Sequence, residues 1–314
     1  MGRITVRRSV TRLSLGKPPS RKADFLAAEE PLEIRVGGQQ LAITMRTPGN
    51  DFELAAGFLV SEGVISRGEQ FRSAMYCAGA DGSADGLNTY NVLDVRLSAE
   101  TPPPDPDLAR NFYTTSSCGL CGKASIDAVE LTSSYDVARD PVTLQAARLV
   151  TFPDKLREQQ EVFEKTGGLH AAALFDAATG DLLVLREDVG RHNAVDKVVG
   201  WAVQNDRLPL TGTVLQVSGR SSFELVQKAK MAGIPILAAV SAPSSLAADL
   251  AEASGMTLIG FLRGESMVIY SRPDRIVAAE EAALDVETAL DSETDADAEA
   301  DADADAEAGA GAWS

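Results

Sequence analysis

The sequence predicts an α/β protein in which helices cover both faces of a mostly parallel sheet. Beyond residue 166, short apolar runs typical of strands alternate with stretches whose apolar residues recur at helical spacing, and this alternation is typical of a parallel sheet. Before residue 104 the pattern indicates a smaller mixed α+β part. The 314 residues, 45% of them hydrophobic, suffice for one large domain or two small ones.

The N-terminal part begins with a predicted hairpin. Residues 32–36 and 41–45 alternate apolar and polar side chains around Gly37-Gly38, which is a hairpin signal. Residues 90–95 predict a further strand, and the prolines at 102–106 end this region.

A helix is predicted between that hairpin and the next strand. Asn50 and Glu53 have the spacing of a capping box, which marks the start of a helix. Four apolar residues then fall on one helical face: Phe52, Ala55, Ala56 and Leu59.

The C-terminal part alternates strands and helices. Strands are predicted at 171–175, 182–185, 213–217, 235–240, 257–261 and 267–270. Helices are predicted from the stripe Val195, Val198, Val199 and Ala202, from 221–232 and from 246–253.

Composition divides the chain into four regions. We expect a disordered basic leader at 1–27, an α+β part at 28–123, an α/β core at 124–275 and an acidic low-complexity tail at 276–314. The net charge is −17, but eleven acidic residues at 285–314 leave −6 for the rest, which disfavours nucleic acid as a partner. A nucleic-acid arm remains the alternative for the leader.

Three cysteines do not form a disulfide framework and suggest a reducing compartment. No apolar run reaches the length of a membrane span and no signal peptide is recognisable, so we expect a soluble cytoplasmic protein.

The pair Cys118 and Cys121, in SSCGLCGK at 116–123, carries the clearest chemistry. The segment precedes a predicted helix through Ile126 and Val129, and a helix start together with Lys123 stabilises a thiolate. The surrounding glycines leave the sulfur accessible. These features suit a persulfide, which needs a reactive thiolate to accept sulfur and freedom to deliver it.

Three other interpretations of the cysteine pair remain. One is half of a zinc site completed by His170 and His192, although their spacing matches no standard zinc motif. The second is a dithiol redox centre. The third is a deaminase-like site, which is disfavoured because the order is reversed and Ala172 stands where the catalytic glutamate is needed. Cys77 is expected to be a structural thiol.

Four loops could bind an anion. Three strand-to-helix junctions follow one another at 186–193, 218–222 and 241–245, and each helix start offers unpaired N–H groups. A fourth candidate is the turn between two strands at 261–266. The predicted donors are Arg191, Arg220, Arg263 and the hydroxyls of Ser221, Ser222, Ser244 and Ser245. Ordinary caps and turns are the alternative, and neither G-x-G-x-x-G nor a Walker lysine is present.

Four polar residues near these junctions carry weaker signals. His170 enters an apolar strand and is expected to be a core histidine, whereas His192 lies at a junction where a binding role is equally reasonable. Asp188 and Asp196 are expected to be caps or members of ion pairs.

Five stretches together resemble the formate dehydrogenase accessory sulfurtransferases, the FdhD/NarQ family. They are RTPGNDFELAAGFL at 46–59, SSCGLCG at 116–122, GGLHAA at 167–172, REDVGRHNAVDK at 186–197 and SGRSSFE at 218–224. The resemblance covers roughly residues 30–271.

The resemblance implies a sulfur carrier. It implies that Cys118 takes sulfur from a cysteine desulfurase as a persulfide, with Cys121 as auxiliary thiol, and passes it to the bis-molybdopterin guanine dinucleotide form of the molybdenum cofactor, which formate dehydrogenase needs. It also implies a cytidine deaminase-like three-layer core and a homodimer. The family's cofactor-binding segment maps onto Phe261, Leu262, Arg263, Gly264, Glu265 and Ser266, and Arg191, His192, Arg220 and Ser221 are the junction residues expected to join it. A cofactor chaperone that carries no sulfur, and a small zinc-binding module, remain alternatives.

Overall fold

The computed structural model describes residues 4–77, 90–105 and 131–278. The cysteine pair at 118–121, the helix predicted through Ile126 and Val129, and the chain beyond 278 lie outside the described residues. Among the described helices, none has the length and apolar character needed to cross a membrane.

The described residues form fourteen strands and seven helices. The strands are β1 (Thr5–Ser14), β2 (Lys17–Ala27), β3 (Glu30–Val36), β4 (Gln39–Arg46), β5 (Phe71–Tyr76), β6 (Val92–Leu97), β7 (Leu144–Gln145), β8 (His170–Asp176), β9 (Leu182–Asp188), β10 (Thr213–Val217), β11 (Ile236–Ala239), β12 (Thr257–Arg263), β13 (Ser266–Ser271) and β14 (Ile276–Val277). The helices are α1 (Asp51–Ser61), α2 (Ala146–Leu149), α3 (Phe152–Glu158), α4 (Glu161–Thr166), α5 (Arg191–Gln204), α6 (Phe223–Met231) and α7 (Ser245–Ala253).

The largest sheet has six strands in the order β13-β12-β11-β10-β8-β9. Only β10, β11 and β12 pair in parallel, and the other neighbours are antiparallel. The predicted mostly parallel sheet is therefore correct for the three central strands and wrong for the remaining pairings. The physical reason is the length of the connections, because the short turns that join β8 to β9 and β12 to β13 permit only antiparallel hairpins.

Helices cover both faces of this sheet, as the sequence predicts. Alternate residues of one strand separate into two apolar clusters: Ala172 and Leu174 of β8 face α1, α5, α6 and α7, whereas Ala173 and Phe175 face α2 and α3. Phe175 stacks on Phe152 of α3 with ring centroids 4.1 Å apart. The two-residue period of a strand places these neighbours on opposite faces, which produces three layers.

The N-terminal part forms a second sheet of four strands in the order β4-β3-β6-β5. Its inner face contributes Leu32, Ile34 and Leu93 to the same apolar cluster that contains α5 and α6. Helix α1 lies between this sheet and α5. One continuous core thus joins the N-terminal part to the large sheet.

Helices α1 and α5 approach each other closely at two glycines. A Cβ atom on Gly57 would lie 1.8 Å from the carbonyl oxygen of Asp196, and one on Gly200 would lie 1.7 Å from that of Glu53. No side chain fits at either distance, so the contact between backbones requires glycine at both positions.

Three local predictions in the N-terminal part are wrong. The leader expected to be disordered pairs as an antiparallel hairpin, β1 with β2. Helix α1 starts at Asp51 with Asn50 as its N-cap, as predicted. Asn50 has a left-handed backbone and makes no side-chain cap, and the side chain of Glu53 pairs with Arg186 instead of completing a capping box. Phe52 is 37% exposed rather than buried, since α1 is covered on its other sides by α5 and the sheet.

Replacing either glycine of the helix crossing should destabilise the fold severely. We expect Gly57→Ala and Gly200→Ala each to lower the free energy of unfolding by about 3 kcal/mol or more, because the helices must separate to admit the methyl group. Gly168→Ala is the matched control, since its Cβ would meet nothing closer than 3.8 Å. Urea denaturation measures all three, and a control loss equal to that of Gly57→Ala would contradict the close-contact explanation.

Candidate functional site

The predicted loops form one row along the carboxyl edge of the large sheet. Strands β9, β10, β11 and β12 all end at this edge, and β8, which runs the opposite way, begins there with His170 beside Asp188. Four strand spacings of about 4.8 Å separate β9 from β12, so the row is about 19 Å wide. A site of this width suits an extended ligand.

Hydrogen bonds tie neighbouring loops of the row together. Ser221 pairs with Pro243 as an isolated bridge, and its backbone exchanges hydrogen bonds with the 242–244 loop at 3.3 and 3.0 Å. The N–H of Phe261 donates to the carbonyl of Ser241 at 3.2 Å, and Arg263 Nε donates to the carbonyl of Val240 at 2.7 Å. The structure therefore brings together three of the predicted loops.

Two polar atoms in this row have no partner among the described residues. The hydroxyl of Ser221 is buried, with only 1% of the residue exposed, and its Oγ makes no hydrogen bond there. The Nε atom of Arg191, the first residue of α5, is also buried and unpaired. Buried polar groups are normally satisfied, so these two donors are available to a ligand.

His192 joins the start of α5 to the start of α6. Its Nε2 lies 2.6 Å from Oε2 of Glu224 and 3.3 Å from Oγ of Ser222. Burial would raise the pKa of Glu224, but the hydrogen bond from His192 and the charges of His192, Lys228 and Arg191 lower it. The pair fixes the two helix starts beside each other and keeps Glu224 ionised.

His170 lies at the edge of the core rather than inside it. Its Nδ1 would be 3.3 Å from a Cβ on Gly219, so the ring packs on a glycine of the β10 loop. Burial lowers the pKa of His170, and the charges of Arg191, His192 and Arg220 lower it further. His170, expected in the core, is therefore half-buried beside Arg191, His192 and Arg220, which we call the positive cluster.

The segment at 261–266 presents a mixed surface. Phe261 is 41% exposed and has a left-handed backbone with φ 52°, while Arg263, Gly264, Glu265 and Ser266 are exposed. Leu262 is buried in the core, so only its backbone could contact a ligand. A bulky residue in the left-handed region is uncommon and marks a locally constrained turn.

A buried ion pair supports the row from below. Lys197 Nζ lies 2.7 Å from Oδ2 of Asp188, and both side chains are at most 2% exposed. Asp188 also accepts hydrogen bonds from the N–H groups of Thr47 and Gly190 and from Nδ2 of Asn193. Burial nevertheless raises the pKa of Asp188. This confirms that Asp188 is a member of an ion pair.

A second buried pair links α5, α6 and α1. Lys228 Nζ lies 2.9 Å from both carboxylate oxygens of Asp196, which also accepts a hydrogen bond from Ser61 at 2.6 Å. Burial would lower the pKa of Lys228, but the charges of Asp196, Glu62 and Glu224 and the hydrogen bond to Asp196 together raise it. Asp196 therefore has a structural role.

Two arginine pairs were missed by the sequence reasoning. Arg46 binds Asp51 through two hydrogen bonds of 3.0 and 2.9 Å, and Arg186 binds Glu53 through two of 2.5 and 2.6 Å. The pair of Glu53 with Arg186 spans 133 residues. Only the first pair, five residues apart, carries a local signal in the sequence, so the second could not be found from spacing.

The predicted catalytic residues Cys118 and Cys121 lie outside the described residues. Cys77, the described cysteine, is a free thiol. Within the described ranges, no group of three or more His, Cys, Asp or Glu side chains is placed to hold a metal ion.

Comparison with known proteins gives a consistent result. The family model of the FdhD/NarQ family matches residues 27–277. The sulfur carrier protein FdhD of Mycolicibacterium paratuberculosis is 61% identical over 273 residues, covering 87% of this chain and 99% of the relative. The protein of the same name from Streptomyces avermitilis is 60% identical over 284 residues, covering 90% and 99%.

The chain belongs to the FdhD/NarQ family. A solved structure of a formate dehydrogenase accessory protein from Desulfotalea psychrophila has the same fold, with a TM-score of 0.68 at 24% identity over 88% of this chain and 100% of that one. The family match includes every residue of the row described above. It also includes the buried pairs that support the row.

The positive cluster should control the protonation of His170. Because its folded pKa lies below the ordinary value of 6.5, folding is fully supported above pH 6.5 and loses stability as the pH falls below it. With only two histidines in the chain, NMR resolves both ring titrations, and His192→Gln assigns them.

We expect Arg191→Ala and Arg220→Ala each to raise the pKa of His170, because each removes a cation that lowers it. Arg72→Ala, at an exposed position of β5, should leave the midpoint unchanged. A His170 midpoint at or above 6.5 in the unmodified protein would contradict the assignment.

Proposed function

We propose that this protein is a sulfur carrier of formate dehydrogenase maturation that holds sulfane sulfur as a persulfide on Cys118. The observation that carries the proposal is the C-x-x-C at 118–121 in a chain that is about 60% identical to proteins named sulfur carrier protein FdhD. The positive row along the sheet edge supports an anionic client. The proposal also includes that the protein is soluble and cytoplasmic, has a cytidine deaminase-like core and forms a homodimer.

The sulfur step is an exchange between a thiolate and a persulfide. The Cys118 thiolate attacks the outer sulfur of the cysteine desulfurase persulfide. A bond forms between that sulfur and Sγ of Cys118, the sulfur–sulfur bond on the desulfurase breaks, and the desulfurase cysteine leaves as a thiolate. No electrons are gained or lost overall.

Delivery uses the second cysteine. Attack of the Cys121 thiolate on Sγ of Cys118 forms a disulfide between the two and releases the outer sulfur as hydrosulfide. The two thiols supply the two electrons that convert sulfane sulfur to sulfide. The molybdenum cofactor would accept the sulfide, and exchange with an external dithiol, which is itself oxidised to a disulfide, would return Cys118 and Cys121 to thiols.

The bis-molybdopterin guanine dinucleotide cofactor is the proposed client of the row. Arg191, Arg220 and Arg263 would hold its pyrophosphate and guanine groups. The buried unpaired donors of Arg191 and Ser221 support this assignment, because an anion would satisfy both. His192 is held by Glu224 and positions the two helix starts rather than carrying sulfur.

A chaperone that binds the cofactor without transferring sulfur is the second candidate. It is favoured by the fact that the anion donors of the row, as far as the described residues go, include no cysteine. The two candidates differ in whether Cys118 is needed to mature formate dehydrogenase.

Incubation with a cysteine desulfurase and cysteine should add one sulfur, about 32 Da, to the intact mass. Cys118→Ala should abolish this addition, because the acceptor thiolate is gone, while Cys121→Ala should retain it and release sulfide slowly. Cys77→Ala is the matched control and should be labelled normally. Full labelling of Cys118→Ala would overturn the persulfide assignment, and active formate dehydrogenase matured by that variant would favour the chaperone.

Arginines of the row should control binding of the client. With GDP as a probe for one guanine arm, we expect Arg191→Ala, Arg220→Ala and Arg263→Ala each to weaken binding about tenfold in calorimetry, since a charge-assisted hydrogen bond contributes about 1.5–3 kcal/mol. Arg72→Ala is the control and should bind normally. If all four variants bound GDP as tightly as the unmodified protein, the nucleotide would not bind at these arginines.

A further inference from the structure

The hairpin of β1 and β2 is a basic arm. Within residues 4–27 it carries six cationic side chains and one acid, Asp24, and all six cations are exposed: Arg7, Arg8, Arg12, Lys17, Arg21 and Lys22. Of the ion pairs in the described part of the chain, none involves any of the six. We call this hairpin the basic arm.

The basic arm has little support of its own. Its strands are exposed over most of their length, and packing is confined to the base, where β2 contacts α4 and Ala28 donates to the carbonyl of Ile4. A two-stranded hairpin alone is marginally stable in water, and six close cations repel one another. An anionic partner would stabilise the hairpin and reduce the repulsion between its cations.

The chain supplies a segment of opposite charge. Residues 279–314 of the acidic tail contain thirteen Asp and Glu and neither Lys nor Arg. The family model ends at residue 277, before this segment begins. Apart from the basic arm and the acidic tail, no stretch of the sequence has a comparable excess of charge of either sign.

The tail leaves the fold at the edge of the large sheet opposite to the base of the arm. Just before the tail, Arg275 donates hydrogen bonds to the carbonyls of Pro235 and Gly255, which precede β11 and β12. The base of the arm lies instead at the carboxyl edge, where a Cβ atom on Gly168 would be 3.8 Å from Cβ of Ala27. At about 3.3–3.6 Å per residue, 36 residues can span up to about 120 Å. Length therefore does not prevent the tail from reaching the whole arm.

We propose that the acidic tail binds the basic arm of the same chain. The tail neutralises the exposed cations and covers the arm, so that any other polyanion must displace it. The contact is electrostatic and weakens as salt rises. It is independent of the thiol chemistry and of the cofactor row.

Carbodiimide coupling on the full-length protein tests this directly, because it joins lysine amines to carboxylates in contact. Trypsin cleaves after Arg275 and releases 276–314 as one peptide, which contains no further cleavage site. Links from this peptide to Lys17 or Lys22 are compared by mass spectrometry with links to Lys155, an exposed lysine of α3.

We expect arm links to exceed the Lys155 links at least fivefold in 0.01 M salt and to fall to the Lys155 level in 1 M NaCl, where the screening length drops from about 30 Å to about 3 Å. Arg12→Glu combined with Arg21→Glu retains both lysines and should reduce the arm links at least fivefold. The matched control, Arg72→Glu combined with Arg139→Glu, changes two exposed arginines outside the arm and should have no effect.

An equimolar mixture of ¹⁵N-labelled and unlabelled chains separates the possible occupants. Links within one isotopic chain support the proposal, and mixed links would assign the tail to a second copy and overturn it. Arm links no more frequent than Lys155 links, or unaffected by salt, would also overturn it. If the arginine variant failed to fold, the salt comparison on the unmodified protein would still decide.

Discussion

The buried pair of Asp188 and Lys197 is the interaction on which the rest of the site depends. It lies where β9 ends and α5 begins, and Asp188 also binds the backbone of Thr47 in the N-terminal part. Lys197 Nζ donates to the carbonyl of Thr47 at 2.9 Å. Removing either partner would leave an uncompensated buried charge, at a cost of about 3–5 kcal/mol. The start of α5 is thereby fixed, and Arg191 and His192 with it.

Charged motif residues divide into two groups with different roles. Arg46, Asp51, Glu53, Arg186 and Asp196 are paired inside the protein, and the pair of Glu53 with Arg186 joins the N-terminal part to the large sheet. Arg191, Arg220 and Arg263 lie along the carboxyl edge and have capacity to bind an anion. The first group satisfies itself, so the local field at the edge stays positive. Burial lowers the pKa of His170 most, and that field lowers it further.

Carrying sulfur and binding a large anion need different kinds of structure. A persulfide needs a thiolate that can meet a donor and then an acceptor, whereas an extended anion needs donors in fixed positions. The row meets the second need through three loops hydrogen-bonded to one another. In our proposal the cysteine pair meets the first, and the basic arm with the acidic tail adds a charge-controlled surface outside both.

The sequence alone determined the strands and helices between residues 170 and 271, the order of the junctions and the family, because local periodicity and long motifs are carried by neighbouring residues. It could not determine that β8 and β13 run antiparallel to their neighbours, that the leader pairs as a hairpin, or that His170 faces the positive cluster. It also could not find Glu53 paired with Arg186, or His192 with Glu224. The two ion pairs join residues 133 and 32 positions apart, and β8 pairs with residues of β10 that lie 37 to 45 positions away, so only the folded chain brings these residues together.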